Sequence, residues 1–403
     1  MTDRASGAAL LGLGIVAVAG CQVAAIDNGC QVARQLVLPD TMPLALIPDV
    51  QIERAGSGFV LLGVDDTSVR WTAIDANGRY GIEQTYPLPA GTVHAYYGLA
   101  GAESPGDRVI IGLLTTAANG SDAELHLEAA PTDGSTPPAP GIAIATFGGG
   151  ANLQSPPTIA MGTSASAMFA GVAWIDTGPL LPMYAFVDGQ GEIVGPPAVV
   201  DAEPVAGFDC LGFGPGKQEL TISYQRVPLD SRLAPNWLIA DVMVGGGIAT
   251  LKLNVALPGG LMSCARSVLY TPAGGGSPEY AMVWQDGSGS WLSVYYGPQT
   301  NMLKSFPFAS STDFGGAGLQ PQLVGLAAFG NDFGVLFART RSVELWRIDQ
   351  AGNRHAGTLV LPSRQGDIGA VSSVSSTGLL TSTYADLTGA GMGRRLVIDA
   401  ACY

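Results

Sequence analysis

The side chains best placed for chemistry in this 403-residue chain are acidic and recur at the ends of β-type runs. They stand in Val64-Asp65-Asp66, Trp174-Ile175-Asp176, Trp284-Gln285-Asp286 and Tyr384-Ala385-Asp386. A ring of carboxylates on one face would suit calcium, which takes several oxygen ligands, or a basic or sugar partner. Asp also favours tight turns, because its carboxylate accepts nearby backbone N–H groups. The four sites lie in different repeats and no single loop gathers three ligands, so turn formation is the simpler reading and no metal is assigned. His94, His126 and His355 are scattered, none beside a nucleophile pattern, and Gly-x-Ser-x-Gly does not occur. The Gly-rich stretches at 148–150, 245–247 and 274–276 stand between no strand and helix, so they do not read as phosphate cradles. No catalytic residue and no cofactor is assigned.

Composition narrows the function classes further. Lys+Arg is 19 and Asp+Glu is 33, so the net charge is 19 − 33 = −14. Phosphate neutralisation needs clustered Lys and Arg, which excludes a nucleic-acid binder. Charged residues are 13% and hydrophobic residues 47%, too apolar for a disordered chain. Gly at 56 and Pro at 27 are too frequent for a helical bundle.

The N-terminus carries an address. Arg4 precedes an apolar stretch from Ala8 to Gly20, too short to span a bilayer and suited to an export signal. It ends in Val18-Ala19-Gly20-Cys21. An aliphatic residue, two small residues and Cys resemble the lipobox of bacterial lipoproteins. The resemblance implies removal of residues 1–20 and diacylation of Cys21. Gln22, in place of a retaining Asp, implies the outer membrane. Asp3 and Val18 depart from the family's commoner pattern.

The remainder reads as short β-type runs between Gly/Asp/Asn/Ser turns. A recurring unit has an aromatic run ending in Asp: Trp71 to Asp75, Tyr184 to Asp188, Trp237 to Asp241, Trp346 to Asp349, with Trp291 to Tyr295 and Leu396 to Asp399 in the same slot. Successive steps are 241 − 188 = 53, 295 − 241 = 54, 349 − 295 = 54 and 399 − 349 = 50, while 188 − 75 = 113 spans two steps. A degenerate copy near residues 123–133 fills the gap. About 54 residues hold four short strands, and radially repeated four-stranded sheets make a β-propeller. The expected fold is all-β, a seven-bladed β-propeller of four-stranded blades. Asp286 to Trp291 also partly resembles the Asp-box of sialidase-like propellers, where the box is structural; Trp284 and Ser288 depart from it. Trp71, Trp174, Trp237, Trp284, Trp291 and Trp346 are expected in the core between blades.

The last unit stops at a third strand, ending at Cys402, whereas Cys30 to Pro39 reads as a fourth strand and shares Leu-Val-Leu-Pro with Leu359 to Pro362. The N-terminal strand should therefore complete the last blade and remove two open sheet edges. Setting Cys21 aside for lipid leaves four Cys, which allow three connectivities. Cys30 with Cys402 would replace the missing turn; Cys210 and Cys264, one repeat apart, would pair on adjacent inner strands. The expected organisation is a signal peptide at 1–20, a lipid tether at 21–29 and one propeller at 30–403. The expected function is a membrane-anchored binding or scaffolding module for a protein or glycan on the face carrying Asp66, Asp176, Asp286 and Asp386. The competing reading is a propeller-type hydrolase or lyase with its site at the central channel. Inner-strand segments such as Leu323 to Phe329 and Ala370 to Ser376 are small and uncharged, which favours the binding module.

Overall fold

The computed structural model describes residues 29–101, 107–116, 122–136, 141–148, 159–163, 168–176, 180–203, 207–215, 220–227, 236–242, 250–256, 263–271, 279–286, 289–296, 302–314, 321–362, 367–376, 379–388 and 391–402. Those residues form seven four-stranded antiparallel sheets. Sheet I holds β2 (Val50–Ala55), β3 (Gly58–Val64), β4 (Ser68–Ile74) and β5 (Gln84–Pro87). Sheet II holds β6 (Thr92–Ala100), β7 (Arg108–Thr116), β8 (Asp122–Pro131) and β9 (Ile142–Gly148). Sheet III holds β10 (Ile159–Thr163), β11 (Phe169–Ile175), β12 (Pro182–Asp188) and β13 (Ala198–Val199). Sheet IV holds β14 (Gly207–Pro215), β15 (Leu220–Val227), β16 (Asn236–Val242) and β17 (Thr250–Ala256). Sheet V holds β18 (Ser263–Tyr270), β19 (Glu279–Asp286), β20 (Gly289–Tyr296) and β21 (Met302–Ser310). Sheet VI holds β22 (Gln322–Phe329), β23 (Asp332–Ala338), β24 (Ser342–Ile348) and β25 (Leu359–Pro362). Sheet VII joins the two chain ends: β26 (Ile368–Ser376), β27 (Leu379–Thr388) and β28 (Gly391–Cys402) are completed by β1 (Cys30–Val37).

The core lies between sheets rather than within one. Trp71, Val60 and Leu62 of sheet I pack with Leu99, Val109 and Ile111 of sheet II. Leu125 and Phe147 of sheet II meet Val172 and Trp174 of sheet III, and Phe333, Phe337 and Trp346 of sheet VI meet Val268 and Val283 of sheet V. Second strands such as β3 and β23 are buried along almost their whole length because a neighbouring sheet covers each face. Such strands read as continuous apolar runs, and burying a large aliphatic side chain contributes roughly 1.5–3 kcal/mol. The first strands lie side by side from sheet to sheet, β2 against β6, β6 against β10, and onward through β14, β18 and β22 to β26, which touches β2.

The recurring Asp has a structural explanation. Asp75 Oδ1 accepts the N–H groups of Asn77 and Arg79, each at 2.8 Å. Asp188 does the same for Gln190 and Glu192, and Asp349 for Ala351 and Asn353. Each turn has Gly three residues after the Asp, with φ of 80° at Gly78, 85° at Gly191 and 79° at Gly352, a region that disfavours any Cβ. In sheet VII the strand runs on past this slot, and Asp399 is put to another use. Its carboxylate binds Arg34 Nε of β1 at 2.6 Å and Thr381 Oγ1 at 2.8 Å. Arg34 Nη1 also donates to the Ala76 carbonyl at 2.9 Å, so one side chain ties β1 to its own sheet and to sheet I. Cys30 and Cys402 are disulfide-bonded.

Candidate functional site

Polar side chains gather where the inner strands of sheets I to III meet the last sheet. Burial alternates along β2: Val50 and Ile52 are buried, Gln51 is exposed and Glu53 keeps partial contact with solvent. Strand alternation therefore sends Gln51 and Glu53 to the face away from the core. Thr163, the last residue of β10, donates from Oγ1 to Glu53 Oε2 at 3.1 Å. This bond passes over sheet II and joins inner strands two sheets apart. Burial pushes the Glu53 carboxyl up to about 7, and the Thr163 hydrogen bond offsets only part of that rise.

Tyr97 enters the cluster from β6. Burial raises its hydroxyl well above the ordinary range, reinforced by negative charge at Asp49 and Glu53 and opposed by a hydrogen bond with the Gln51 backbone and by Arg395. Arg395 comes from β28, where it stands opposite Ala385. It is fully buried. Its Nη2 donates to the carbonyls of Ile47 and Pro48, the latter at 3.3 Å, whereas Nε and Nη1 have no hydrogen-bond partner. Burial pulls its pKa down to about 10, against the pull of Asp49 and Tyr97 towards the charged form. Asp49, Glu53, Tyr97, Thr163 and Arg395 thus reach one another from the segment before β2 and from sheets I, II, III and VII. An acid that changes charge near neutral pH beside a phenol and a guanidinium can exchange hydrogen bonds with a hydroxyl-rich ligand, or move a proton.

This grouping corrects the expectation of small, uncharged inner strands. Leu323 to Phe329 and Ala370 to Ser376 fit it, but β2 and β6 do not: β2 turns Gln51 and Glu53 away from the core, and β6 carries His94, Tyr96 and Tyr97. The Asp-bearing segments fold differently from one another. Asp65 accepts the Thr67 N–H at 2.8 Å, the Thr67 and Ser68 hydroxyls at 2.7 and 3.0 Å, and Arg70 Nε at 2.8 Å. Burial opposes ionisation there, yet these bonds together hold the Asp65 carboxyl far below the usual carboxylate range. Asp66 beside it is exposed. Asp286 accepts the Gly289 N–H at 3.1 Å, and the Asp176 N–H donates to the Leu181 carbonyl at 2.9 Å. Asp386 lies within β27, opposite Ile368, rather than in a turn. Among the described residues, no group of three or more His, Cys, Asp and Glu is placed to hold a metal ion.

The histidines are dispersed among sheets. His94 of β6 packs against Tyr96 with the rings tilted and their centroids 4.7 Å apart. His126 lies 3.2 Å from Glu124 on β8, and His355 lies 3.3 Å from Asp332, which also binds Arg347. Trp71, Trp174, Trp284 and Trp346 are buried. Cys21 and the rest of residues 1–28 lie outside the described residues, as do the side chains of Cys210 and Cys264. The strands that carry those two cysteines, β14 and β18, are adjacent inner strands.

No protein-family model matches the chain, and no curated protein matches it. Solved structures do. The polysaccharide lyase Uly1 is 10% identical with a TM-score of 0.55, covering 87% of this chain and 89% of its own. A protein of unknown function from Dyadobacter fermentans DSM 18053 is 9% identical with a TM-score of 0.51, covering 93% and 100%. The β-propeller domain of the Trilobed protease from Pyrococcus furiosus is 9% identical with a TM-score of 0.45, covering 86% and 94%. The chain is an all-β protein of four-stranded antiparallel sheets, and one of these distant structures is a β-propeller domain.

Proposed function

We propose that this chain is an exported lipoprotein, acylated at Cys21 and held at the outer membrane, whose closed seven-bladed β-propeller binds a protein or glycan. The observation that carries the reading is the position of the tether root. Residues 21–29 lead into Cys30, which is paired and bonded to Cys402 at the end of sheet VII where third and fourth strands connect. That end faces the membrane, and the opposite end, with Asp66, Asp176 and Asp286, faces away and meets the ligand. Closure is supported by the unbroken circuit of first strands from β2 round to β26 and back. A carbohydrate ligand is supported by Glu53, which keeps partial contact with solvent and whose carboxyl can exchange hydrogen bonds with hydroxyls, as it does with Thr163.

Intact mass of the protein from a bacterial host, with and without reductant, tests the anchor and the bonds, including Cys210 with Cys264. A glycan array probed with the mature protein tests the ligand. Binding lost in Glu53→Gln places the ligand at the inner strands, and no binding to any glycan leaves a protein as the ligand class.

The second reading is a glycan-processing enzyme. Glu53 favours it, because a carboxyl with pKa about 7 next to a phenol suits proton transfer at neutral pH. Uly1 acts on a polysaccharide, which suggests the first substrates to try. Release of unsaturated or reducing ends, abolished in Glu53→Gln, would establish this reading.

A further inference from the structure

The turn beside the tether root differs from its sister turns. Sheets I, III and VI use the same Asp-and-Gly connection between third and fourth strands, starting at Asp75, Asp188 and Asp349. Five residues on stand Tyr80, Ile193 and Arg354, and each pairs back onto its third strand. Seven residues on stand Ile82, Gly195 and Ala356. The sister turns keep their surfaces bland: Ile193 is half-buried, and the Arg354 guanidinium sits 3.5 Å from the Trp346 ring centroid. The sheet I turn instead leaves Tyr80 41% exposed and Ile82 83% exposed, the latter the most exposed large apolar side chain among the described residues. Arg79 beside them is exposed as well.

This turn also touches the strand that carries the tether. Arg34 of β1 binds the Ala76 carbonyl and lies against Gly78, where an added Cβ would meet its guanidinium carbon chain at 3.1 Å. Four residues upstream, the Cys30 N–H donates to the Gly357 carbonyl of the sister turn in sheet VI at 3.2 Å. The chain therefore enters β1 between the two turns, at the level of their tips. Nine residues from 21 to 29 reach at most about 30 Å when extended, so an acylated Cys21 holds this end of the sheets close to the lipid.

Resting on the lipoprotein reading above, we propose that the Arg79-Tyr80-Gly81-Ile82 segment, which follows the Asp75–Gly78 turn and runs back beside β4, docks into the lipid surface that anchors Cys21. Ile82 enters the edge of the acyl layer, Tyr80 lies at headgroup level with its hydroxyl in water, and Arg79 lies along the headgroups. Tyr is a residue of membrane interfaces, and Arg keeps its charge wet while its stem covers apolar surface. The apolar segment adds a second contact to the acyl anchor and fixes how the disc is turned.

The test uses the mature acylated protein in vesicles of phosphatidylethanolamine and phosphatidylglycerol, with and without brominated acyl chains. Ile82→Trp places a reporter on this segment, and Asp66→Trp places one at the opposite end. Wild-type protein sets the emission of the six native Trp. The same samples are weighed to confirm acyl-Cys21. Acylated protein in which brominated lipid removes most of the added emission of Ile82→Trp, and none from Asp66→Trp, supports the contact. Acylated protein with neither reporter quenched overturns the contact and leaves the anchor standing. Quenching at Asp66→Trp alone overturns it by reversing the disc. An Ile82→Trp emission that is blue-shifted without quenching places a second copy of the chain on this segment and overturns it too. An unmodified Cys21 overturns the anchor and the contact together.

Discussion

Cys30 and Cys402 stand directly opposite each other across β1 and β28, bonded through sulfur, with Cα atoms 4.0 Å apart and a sequence separation of 372. A cross-link of this span removes a large loop entropy from the unfolded chain, with a chain-entropy ceiling of about 5–6 kcal/mol. Cys402→Ser is expected to lower unfolding stability by about 2–5 kcal/mol in guanidinium titration. The reduced wild-type protein should lose at least as much, because reduction also opens any Cys210–Cys264 bond. An unchanged midpoint would mean that β1 and β28 hold together without the bond.

Glu53 makes stability depend on pH in an uncommon direction. Its carboxyl binds a proton more tightly in the folded chain, near 7, than at its ordinary value of 4.5, and burial is the main cause. Between those values the folded state holds more protons than the unfolded one, so stability falls as pH rises and levels off above about 7. The full difference is on the order of 3 kcal/mol. Thermal melts from pH 4.5 to 8 should show the decline, and Glu53→Gln should flatten it and raise the melting temperature at pH 8. A parallel slope in the variant would assign the effect to other groups.

Two glycines separate backbone strain from crowding. Gly330 has φ 67° with open space around an added Cβ, so Gly330→Ala is expected to cost only the left-handed backbone term, about 1–2 kcal/mol. Gly352 has φ 79°, and its Cβ would meet Phe306 Cβ at 2.6 Å. Gly352→Ala should therefore cost about 1–3 kcal/mol more than Gly330→Ala. Equal losses in urea titration would show that the sheet V side yields freely.

Arg395 is buried with two unpartnered nitrogens, Nε and Nη1, and a pKa drawn down to about 10 by that burial. Arg395→Ala leaves a void and is expected to cost about 3–5 kcal/mol. Arg395→Met fills much of the space without a charge to desolvate and should cost less than half as much. A comparable loss in both variants would give the bonds to the Ile47 and Pro48 carbonyls the larger share.

Strand order was legible in this chain wherever a local pattern repeats. The aromatic-to-Asp unit marks third strands because its Asp closes a turn, as Asp75, Asp188 and Asp349 do. The pairing of Cys30 to Val37 with Leu396 to Cys402 was legible because the Leu-Val-Leu-Pro of the sixth unit recurs at Leu36 to Pro39. The polar cluster was not legible. Glu53, Tyr97 and Arg395 are far apart in sequence, and each sits in an ordinary β-type run. Only the meeting of sheets VII, I and II brings them together, and no spacing in one strand encodes that. A lone Glu on an inner strand was the available signal, and the uncharged stretches at 323–329 and 370–376 masked it.

The bond at Cys30 also decides how the molecule bears load. A pull on the chain from its N-terminal side arrives at the edge strand of sheet VII. Without a cross-link, that force would peel β1 from β28 one hydrogen bond at a time. With the sulfur link at the first pair of the register, tension passes straight into β28, which lies inside the sheet between β1 and β27. The whole sheet must then shear at once, and Arg34, clasping Asp399 and the Ala76 carbonyl, shares the strain with sheet I. A pull from that side is thereby borne by paired strands inside sheet VII rather than by its edge strand alone.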